Sequence, residues 1–188
     1  MKSAATIDWL TFTLKMVVDP VVVIRDFLAL DPDLFQSQDF GKFGYRKSMH
    51  FAGIFVYYDP AEGRKMEMGV CVSMTGVGCR TYEQHTRLTA AGTPLRALIE
   101  KIHITDMVHC TRLDLALDDK DKLLDLDRIA DCVESGCVNS RIRKRTIYRG
   151  YDGSNRSGTT IYIGAPSSDF RIRFYDKAKE KYKPDDER

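Results

Sequence analysis

The sequence has few features that bind zinc or form disulfide bonds. Its five cysteines are an odd number, none of them belongs to a CxxC pair, and no histidine follows Cys132 and Cys137 at a zinc-finger distance. His103 and His109 belong to no histidine–hydrophobic–histidine pair, which excludes a metal site of that type. We therefore expect reduced thiols and a cytoplasmic location, the simplest account of unpaired cysteines.

Long apolar runs are also missing. The run at 21–24 is followed at once by Arg25 and Asp26, and no basic segment precedes an apolar core near the N-terminus. We therefore expect no signal peptide and no membrane span. The sequence also contains no GxxxxGK[ST] phosphate-binding loop, which argues against a bound nucleotide cofactor.

Charge is distributed unevenly along the chain. The 188 residues are 43% hydrophobic and 30% charged, which is typical of a globular protein and predicts a single domain over residues 1–188. The net charge is only +2, but residues 141–188 contain 13 Lys/Arg against 7 Asp/Glu. This basic C-terminal part favours a polyanionic partner.

Strand patterns outnumber helix patterns, and turn signals join most neighbouring strands. Asp19 and Pro20 are typical of a helix start, and residues 59–63 are typical of a hairpin turn. We predict an α+β fold in which helices cover one face of a mainly antiparallel central sheet and the open face carries the active site. The predicted strands are 7–14, 48–58, 64–74, 111–118, 146–151, 159–164 and a last one leading to 175, and the predicted helices are 19–30, a short one after Thr81, 93–101 and 121–135.

The segment leading to Tyr175 alternates as a strand does. Arg171, Arg173 and Tyr175 point to one face, and the apolar side chains between them point to the other. From Asp176 onward the residues favour a helix, so Tyr175 lies where a strand ends. A phenol beside two guanidinium groups can reach a bound phosphate, although a solvated surface strand gives the same pattern.

A second alternating strand covers residues 111–118. Its three leucines, Leu113, Leu115 and Leu117, are expected to face the helices, while Arg112 and Asp114 face the open side. Aspartate is disfavoured inside strands, and such exceptions are often functional positions.

We predict Asp114 as a ligand of a divalent metal ion. Asp118 is assigned to capping instead, because four strand residues span roughly 13 Å and oxygen ligands lie about 2.0–2.5 Å from the ion. Glu67 and Glu83 are the candidate partner ligands, and the sequence does not decide between them. A cross-strand ion pair is the alternative explanation of Asp114.

These segments together resemble the rolling-circle replication initiators of small Gram-positive plasmids, which have relatives in conjugative transposons and filamentous phages. Residues 7–12 and 78–80 are most similar to the phage branch. The specific part of the resemblance lies in residues 111–118 and 160–164, Ser168, residues 173–177 and Glu180.

The resemblance implies metal-dependent, site-specific nicking of origin DNA. Tyr175 is implied as the nucleophile that forms a 5′-phosphotyrosine and frees a 3′-OH primer, Asp114 as a ligand of Mg²⁺ or Mn²⁺, and Arg173 and Lys177 as supporting groups. Single-stranded or cruciform origin DNA, a homodimer and a host helicase are the implied partners. Family members usually continue further, so we expect a nuclease core without the family's C-terminal extension. The predicted DNA-binding residues are Arg112, Arg141, Arg143, Lys144, Arg145, Arg149 and Arg171.

Other tyrosines compete with Tyr175 for the nucleophile's role. Tyr162 is expected to be a packing residue, and Tyr148, Tyr151 and Tyr182 lack an arginine pair on their own strand. The alternative function is a non-catalytic module of a replication protein that binds single-stranded nucleic acid through stacked aromatic rings.

Overall fold

The computed structural model describes residues 5–61, 68–88, 95–138, 141–152 and 155–177. These residues form two compact units, Met1–Asp118 and Asp119–Arg188, and each unit is described by itself. That residues 1–188 act as one nicking domain stays a prediction.

The first unit is built on a six-stranded antiparallel sheet. Its strand order is β2-β3-β4-β5-β1-β6, so the N-terminal strand pairs between β5 and β6. The strands are β1 (Ala5–Leu14), β2 (Gln36–Gln38), β3 (Tyr45–Phe51), β4 (Ile54–Pro60), β5 (Val70–Met74) and β6 (Val108–Leu117).

Three helical segments accompany this sheet. Helix α1 (Pro20–Val22) continues as a π-helical turn (Val23–Phe27), and the Asp19 side chain accepts a hydrogen bond from the Val21 main-chain N–H as predicted for an N-cap. The others are α2 (Gly76–Leu88) and α3 (Leu95–Ile104), and a short 3₁₀ helix (Pro32–Leu34) precedes β2.

The core of this unit lies between the helices and one face of the sheet. Leu10 and Phe12 of β1 and Val72 of β5 are buried there together with Tyr82 of α2 and Leu98 of α3. Because the helices cover this apolar face, the predicted α+β architecture with helices on one face is confirmed. On the opposite face Tyr45, Tyr57 and Cys71 form a second, smaller buried cluster.

One predicted strand is wrong. Residues 48–58 were expected to form one strand, but the chain reverses at Ala52 and Gly53 to give the β3–β4 hairpin. Both residues have positive φ, 40° and 86°, as the two-residue hairpin turns with a primed geometry require. The Asp59–Gly63 signal was the stronger one in the sequence, yet Asp59 and Pro60 belong to the end of β4.

Helix α2 begins earlier than expected, at Gly76 instead of near Thr81. Its first turn approaches the β3–β4 hairpin closely, because the Thr75 main-chain N–H donates to the Gly53 carbonyl at 3.0 Å. A Cβ added to Gly53 would lie 2.6 Å from the Gly78 nitrogen, so no side chain fits between turn and helix.

In its described residues, the second unit contains a three-stranded antiparallel sheet in the order β7-β8-β9 and one helix. The strands are β7 (Arg145–Asp152), β8 (Asn155–Ile163) and β9 (Ile172–Tyr175), and the helix is α4 (Leu126–Glu134), which begins after an Asp125 N-cap. Ile161 and Ile163 of the sheet pack against Ala130 and Val133 of the helix. The hairpin predicted around residues 152–155 is therefore confirmed.

The predicted environment of the leucines in β6 is wrong. Leu113 and Leu115 pair with Leu10 and Ile7, which pack on the helical side, but Leu113, Leu115 and Leu117 are 43%, 69% and 64% exposed, so no helix covers them. Strand β6 lies at the edge of its sheet, and only its first residue, Val108, packs against the helical core. Alternation correctly separated two faces, but the covering helices do not extend along this strand.

No helix in the described parts of the chain is both long and apolar enough to cross a membrane.

Candidate active site

Three tyrosines and two arginines share one face of the β7-β8-β9 sheet. In the strand register Tyr148 lies opposite Thr160, and Thr160 in turn lies opposite Tyr175. Tyr162 lies opposite Arg173. These two residues are each two positions from Thr160 and Tyr175 on their own strands, so they lie on the same face of the sheet. The alternation predicted from the sequence is confirmed, because Ile172 and Phe174 pack into the core on the other side. We call this surface the tyrosine–arginine face: Tyr148, Tyr162, Arg171, Arg173 and Tyr175.

The arginines of this face stack on its tyrosine rings. The Arg173 guanidinium carbon lies 4.0 Å from the ring centroid of Tyr175 and 5.7 Å from that of Tyr162. The Arg171 guanidinium carbon lies 3.8 Å from the Tyr162 centroid. Such cation–π contacts orient both partners and place positive charge directly beside the phenols.

Tyr175 is half-buried at the end of β9, and Lys177 follows in an exposed turn. Tyr175 is therefore not part of the core cluster of this unit, and a nucleophile for a macromolecular substrate must remain accessible. The helix predicted to follow Asp176 lies outside the described residues from 178 onward.

Two of the predicted DNA-binding arginines lie on the opposite face of this sheet. Arg145 and Arg149 share the strand face of Ile147, which packs on the helical side, and Arg145 donates to the Val138 carbonyl at 2.7 Å. Arg149 forms ion pairs with Glu134 and Asp131 that tie β7 to α4. This placement gives both arginines a structural task and does not support direct contact with DNA at Tyr175.

Three other predicted basic residues, Arg141, Arg143 and Lys144, are exposed in the segment that leads into β7. They precede the edge strand β7, and exposed basic side chains of this kind are accessible to a nucleic-acid backbone.

Asp114 lies in the edge strand β6 of the first unit, where Arg112 holds it. The Arg112 Nη2 donates to Asp114 Oδ2 at 2.6 Å, and its Nε lies 3.0 Å from Oδ1, so one guanidinium engages both carboxylate oxygens. The Arg112 guanidinium also stacks on Trp9, 4.2 Å from the ring centroid. Hydrogen bonding to Asp114 raises the pKa of Arg112.

Carboxylates gather around Cys79 in the first turns of α2. Burial is the main cause that raises the pKa of the Cys79 thiol to about 11, and the charges of Asp8, Glu83 and Asp114 raise it further. Arg80 opposes them and approaches Asp8 Oδ1 at 3.5 Å. Thus Asp114 and Glu83, two predicted ligands, both raise the pKa of the Cys79 thiol.

Sequence reasoning missed Asp8 as a member of this cluster. Its signal was present, since an aspartate inside a strand goes against propensity just as Asp114 does. The register of β1 and β6 shifts between Ile7 and Trp9, and this bulge is where Asp8 lies.

A divalent metal ion fits this cluster only in part. Carboxylate oxygens are the ligands that Mg²⁺ and Mn²⁺ prefer. In the described ranges, however, no three His, Cys, Asp or Glu side chains are placed to hold one ion, and Arg112 engages both oxygens of Asp114. Glu67, the other predicted ligand, lies outside the described residues. The ligand set as arranged is incomplete, so we derive no reaction step from a metal.

The expectation that Tyr175 and Asp114 share the open side of one sheet is wrong. Asp114 belongs to the six-stranded sheet of the first unit and Tyr175 to the three-stranded sheet of the second. Both motifs alternate as predicted, but an alternating pattern does not reveal which sheet a strand joins.

An antiparallel sheet whose exposed face interleaves tyrosines with arginines defines a nucleic-acid-binding type of protein. The comparisons with known proteins agree with this class. A family model described as the rolling-circle replication initiation protein N-terminal domain matches residues 4–94, and one described as replication initiation factor matches residues 108–187.

Two relatives support the same assignment. A rolling-circle replication initiator protein from Geobacillus stearothermophilus has a structure that superposes with a TM-score of 0.77 and 30% sequence identity, over 94% of this chain and 68% of that one. The candidate DNA relaxase NicK of Bacillus subtilis (strain 168) is 28% identical over 167 residues, which are 84% of this chain. The chain spans 44% of the length of NicK. The protein therefore belongs to the rolling-circle replication initiator family.

Proposed function

We propose that this chain carries the nicking activity of a rolling-circle initiator and that Tyr175 is its nucleophile. The observation that carries the proposal is the Arg173 guanidinium stacked on the Tyr175 ring at 4.0 Å, on an accessible sheet face. Single-stranded or cruciform origin DNA is the proposed substrate, because the nucleophile must reach a phosphate that a regular duplex does not present freely.

The proposed reaction is a transesterification. The Tyr175 oxygen loses its proton and attacks the scissile phosphorus, the bond from phosphorus to the 3′ oxygen breaks, and that oxygen takes up a proton. The products are a 5′-phosphotyrosine and a free 3′-OH that primes synthesis. One phosphate ester replaces another, so no nucleotide hydrolysis is needed.

Arg173 has two tasks in this proposal. A phenol is mostly protonated at neutral pH and is a weak nucleophile, so a neighbouring positive charge that stabilises its anion favours attack. The same guanidinium is close enough to Tyr175 to offset charge that develops on the phosphorane oxygens. Lys177 follows two residues later in the exposed turn and is a second candidate for this task.

DNA binding is proposed to depend on the exposed basic residues. Arg171 lies on the tyrosine–arginine face, and Arg141, Arg143 and Lys144 precede β7. Contacts of this kind release counterions, so the affinity is expected to fall steeply as salt rises. Arg112 is the proposed contact in the first unit, where its pairing with Asp114 leaves it 52% exposed.

A divalent cation, Mg²⁺ or Mn²⁺, is part of the proposal, with Asp114 and Glu83 as the described candidate ligands. The support is that the charges of both carboxylates raise the pKa of the Cys79 thiol at the start of α2. A homodimer and a host helicase partner stay predictions.

The direct test is covalent attachment. Wild-type protein incubated with a labelled oligonucleotide from its own replicon and Mn²⁺ is expected to form an adduct that survives SDS, and Tyr175→Phe is expected to form none. Tyr151→Phe is the matched control, because Tyr151 is an exposed tyrosine of β7, 60% accessible, that does not belong to the tyrosine–arginine face. Full adduct formation by Tyr175→Phe would falsify the assignment.

The non-catalytic alternative is favoured by the same exposed face, since stacked rings and arginines bind nucleic acid without any chemistry. It predicts salt-sensitive binding of single strands by the wild type but no adduct under any metal condition. The adduct experiment therefore separates the two functions.

A further inference from the structure

Tyr148 occupies a defined position beside the proposed nucleophile. It lies in the same cross-strand row as Tyr175, with Thr160 between them on β8. Two strand spacings separate the two tyrosines, which is roughly 9–10 Å between their Cα atoms. In a single DNA strand with stacked bases, at a rise of ~3.4 Å per nucleotide, this distance corresponds to about three nucleotides. It corresponds to fewer nucleotides when the DNA strand is extended.

The ring contacts distinguish Tyr148 from its neighbour Tyr162. Tyr162 is half-buried and carries the Arg171 guanidinium on its ring. Tyr148 stands edge-on to Tyr162, with ring centroids 5.9 Å apart and an interplanar angle of 88°. This contact fixes the Tyr148 ring perpendicular to the Tyr162 ring, while 58% of Tyr148 remains exposed.

The face around Tyr148 matches the chemistry of a single DNA strand. Arg171 and Arg173 supply guanidinium groups for phosphates, and the exposed Tyr148 ring supplies a flat apolar surface for a base. Bases inside a duplex are already stacked on one another, so the Tyr148 ring cannot reach their faces. The surface therefore favours an unpaired strand.

We infer that Tyr148 is a stacking site for an unpaired nucleobase near the phosphate that Tyr175 attacks. This inference rests on the proposed function, because the position of the stacked base relative to the scissile bond depends on Tyr175 being the nucleophile. Tyr148 then acts by positioning the strand: the stacked base fixes which phosphate reaches the nucleophile. Tyr162 acts through Tyr148, as the support that keeps its ring perpendicular.

The test measures binding separately from chemistry. All variants are made in the full chain with Tyr175→Phe, and affinity for a short fluorescein-labelled oligothymidylate is measured by fluorescence anisotropy. Tyr148→Ala is expected to weaken binding about 5- to 150-fold, the range that base–aromatic stacking contributes. Tyr148→Phe keeps the ring and is expected to restore the affinity.

Two controls isolate stacking from folding and charge. Phe170→Ala removes another exposed aromatic ring, 62% accessible, that lies outside the tyrosine–arginine face, and it is expected to leave the affinity unchanged. A duplex of the same length is expected to bind wild type and Tyr148→Ala equally, because phosphate contacts dominate there.

The inference is overturned if Tyr148→Ala binds the single strand as tightly as the parent, if Tyr148→Phe fails to restore binding, or if the duplex loses as much affinity as the single strand. Tighter Tyr148-dependent binding of oligouridylate than of oligothymidylate would overturn DNA as the occupant. The proposed function fails separately: an adduct that never forms leaves these binding results intact, whereas an adduct with Tyr148-independent binding overturns only the stacking site.

Discussion

Replacement of Arg173 by glutamine measures what the stacked guanidinium contributes to the attack by Tyr175. The guanidinium carbon lies 4.0 Å from the ring centroid. Two unit charges at this distance interact with about 1 kcal/mol in water and about 4 kcal/mol near a protein surface of effective dielectric constant ~20. Arg173 is exposed, so solvent screening places the expected interaction energy in the lower part of this range, at about 1–2 kcal/mol. The adduct should form about 5- to 30-fold more slowly.

The assay is single-turnover adduct formation at saturating oligonucleotide, which removes the effect of weaker binding. Arg173→Lys keeps the charge but lacks the planar guanidinium group, so its rate of adduct formation should lie between those of Arg173→Gln and the wild type. Arg128→Gln removes the same charge from an exposed position on α4 and is the matched control. Equal rates for Arg173→Gln and Arg128→Gln would refute the reasoning, because net charge alone would then explain any loss.

Two further predictions concern the first unit. Chelation by EDTA should stop adduct formation, and Asp114→Asn should raise the Mn²⁺ concentration required for it by roughly tenfold or more. The control Asp106→Asn, in the exposed turn before β6, should leave the required Mn²⁺ concentration unchanged. An unchanged Mn²⁺ requirement in Asp114→Asn would show that Asp114 is not a ligand. Burial raises the pKa of Cys71 and Cys79 from 9.0 to about 11, so the folded state keeps both thiols protonated after the unfolded chain has lost those protons. The free energy of unfolding should therefore fall as pH rises from about 9 to about 11, and a flat urea-midpoint profile over this range would contradict it.

The local features of the second unit could be predicted because they depend on neighbouring residues. The alternation at Arg171, Arg173 and Tyr175 is a property of any strand, and it placed them on one face correctly. The role of Tyr148 could not be predicted in this way. Tyr148 shares a cross-strand row with Tyr175 through Thr160 of β8, and the sequence of a single strand does not reveal this row.

Long-range pairing also explains the main errors in the first unit. Nothing in the pattern of residues 111–118 distinguishes a central strand from an edge strand, yet this decides whether its leucines are covered. The Ala52–Gly53 turn was missed for a local reason. Alanine rarely adopts positive φ, so it gives no turn signal, while Asp59 and Pro60 give a strong signal inside a strand.

The close approach of Gly53 to Gly78 links the hairpin to the helix that presents Glu83. Neither glycine can acquire a side chain alone without displacing the start of α2, and with it the carboxylates around Cys79. Natural variation at one position is thus constrained by the other, although they are distant in the chain. Exchange of the β3–β4 hairpin between homologues would succeed only when the donor hairpin and the recipient helix carry compatible residues at this crossing.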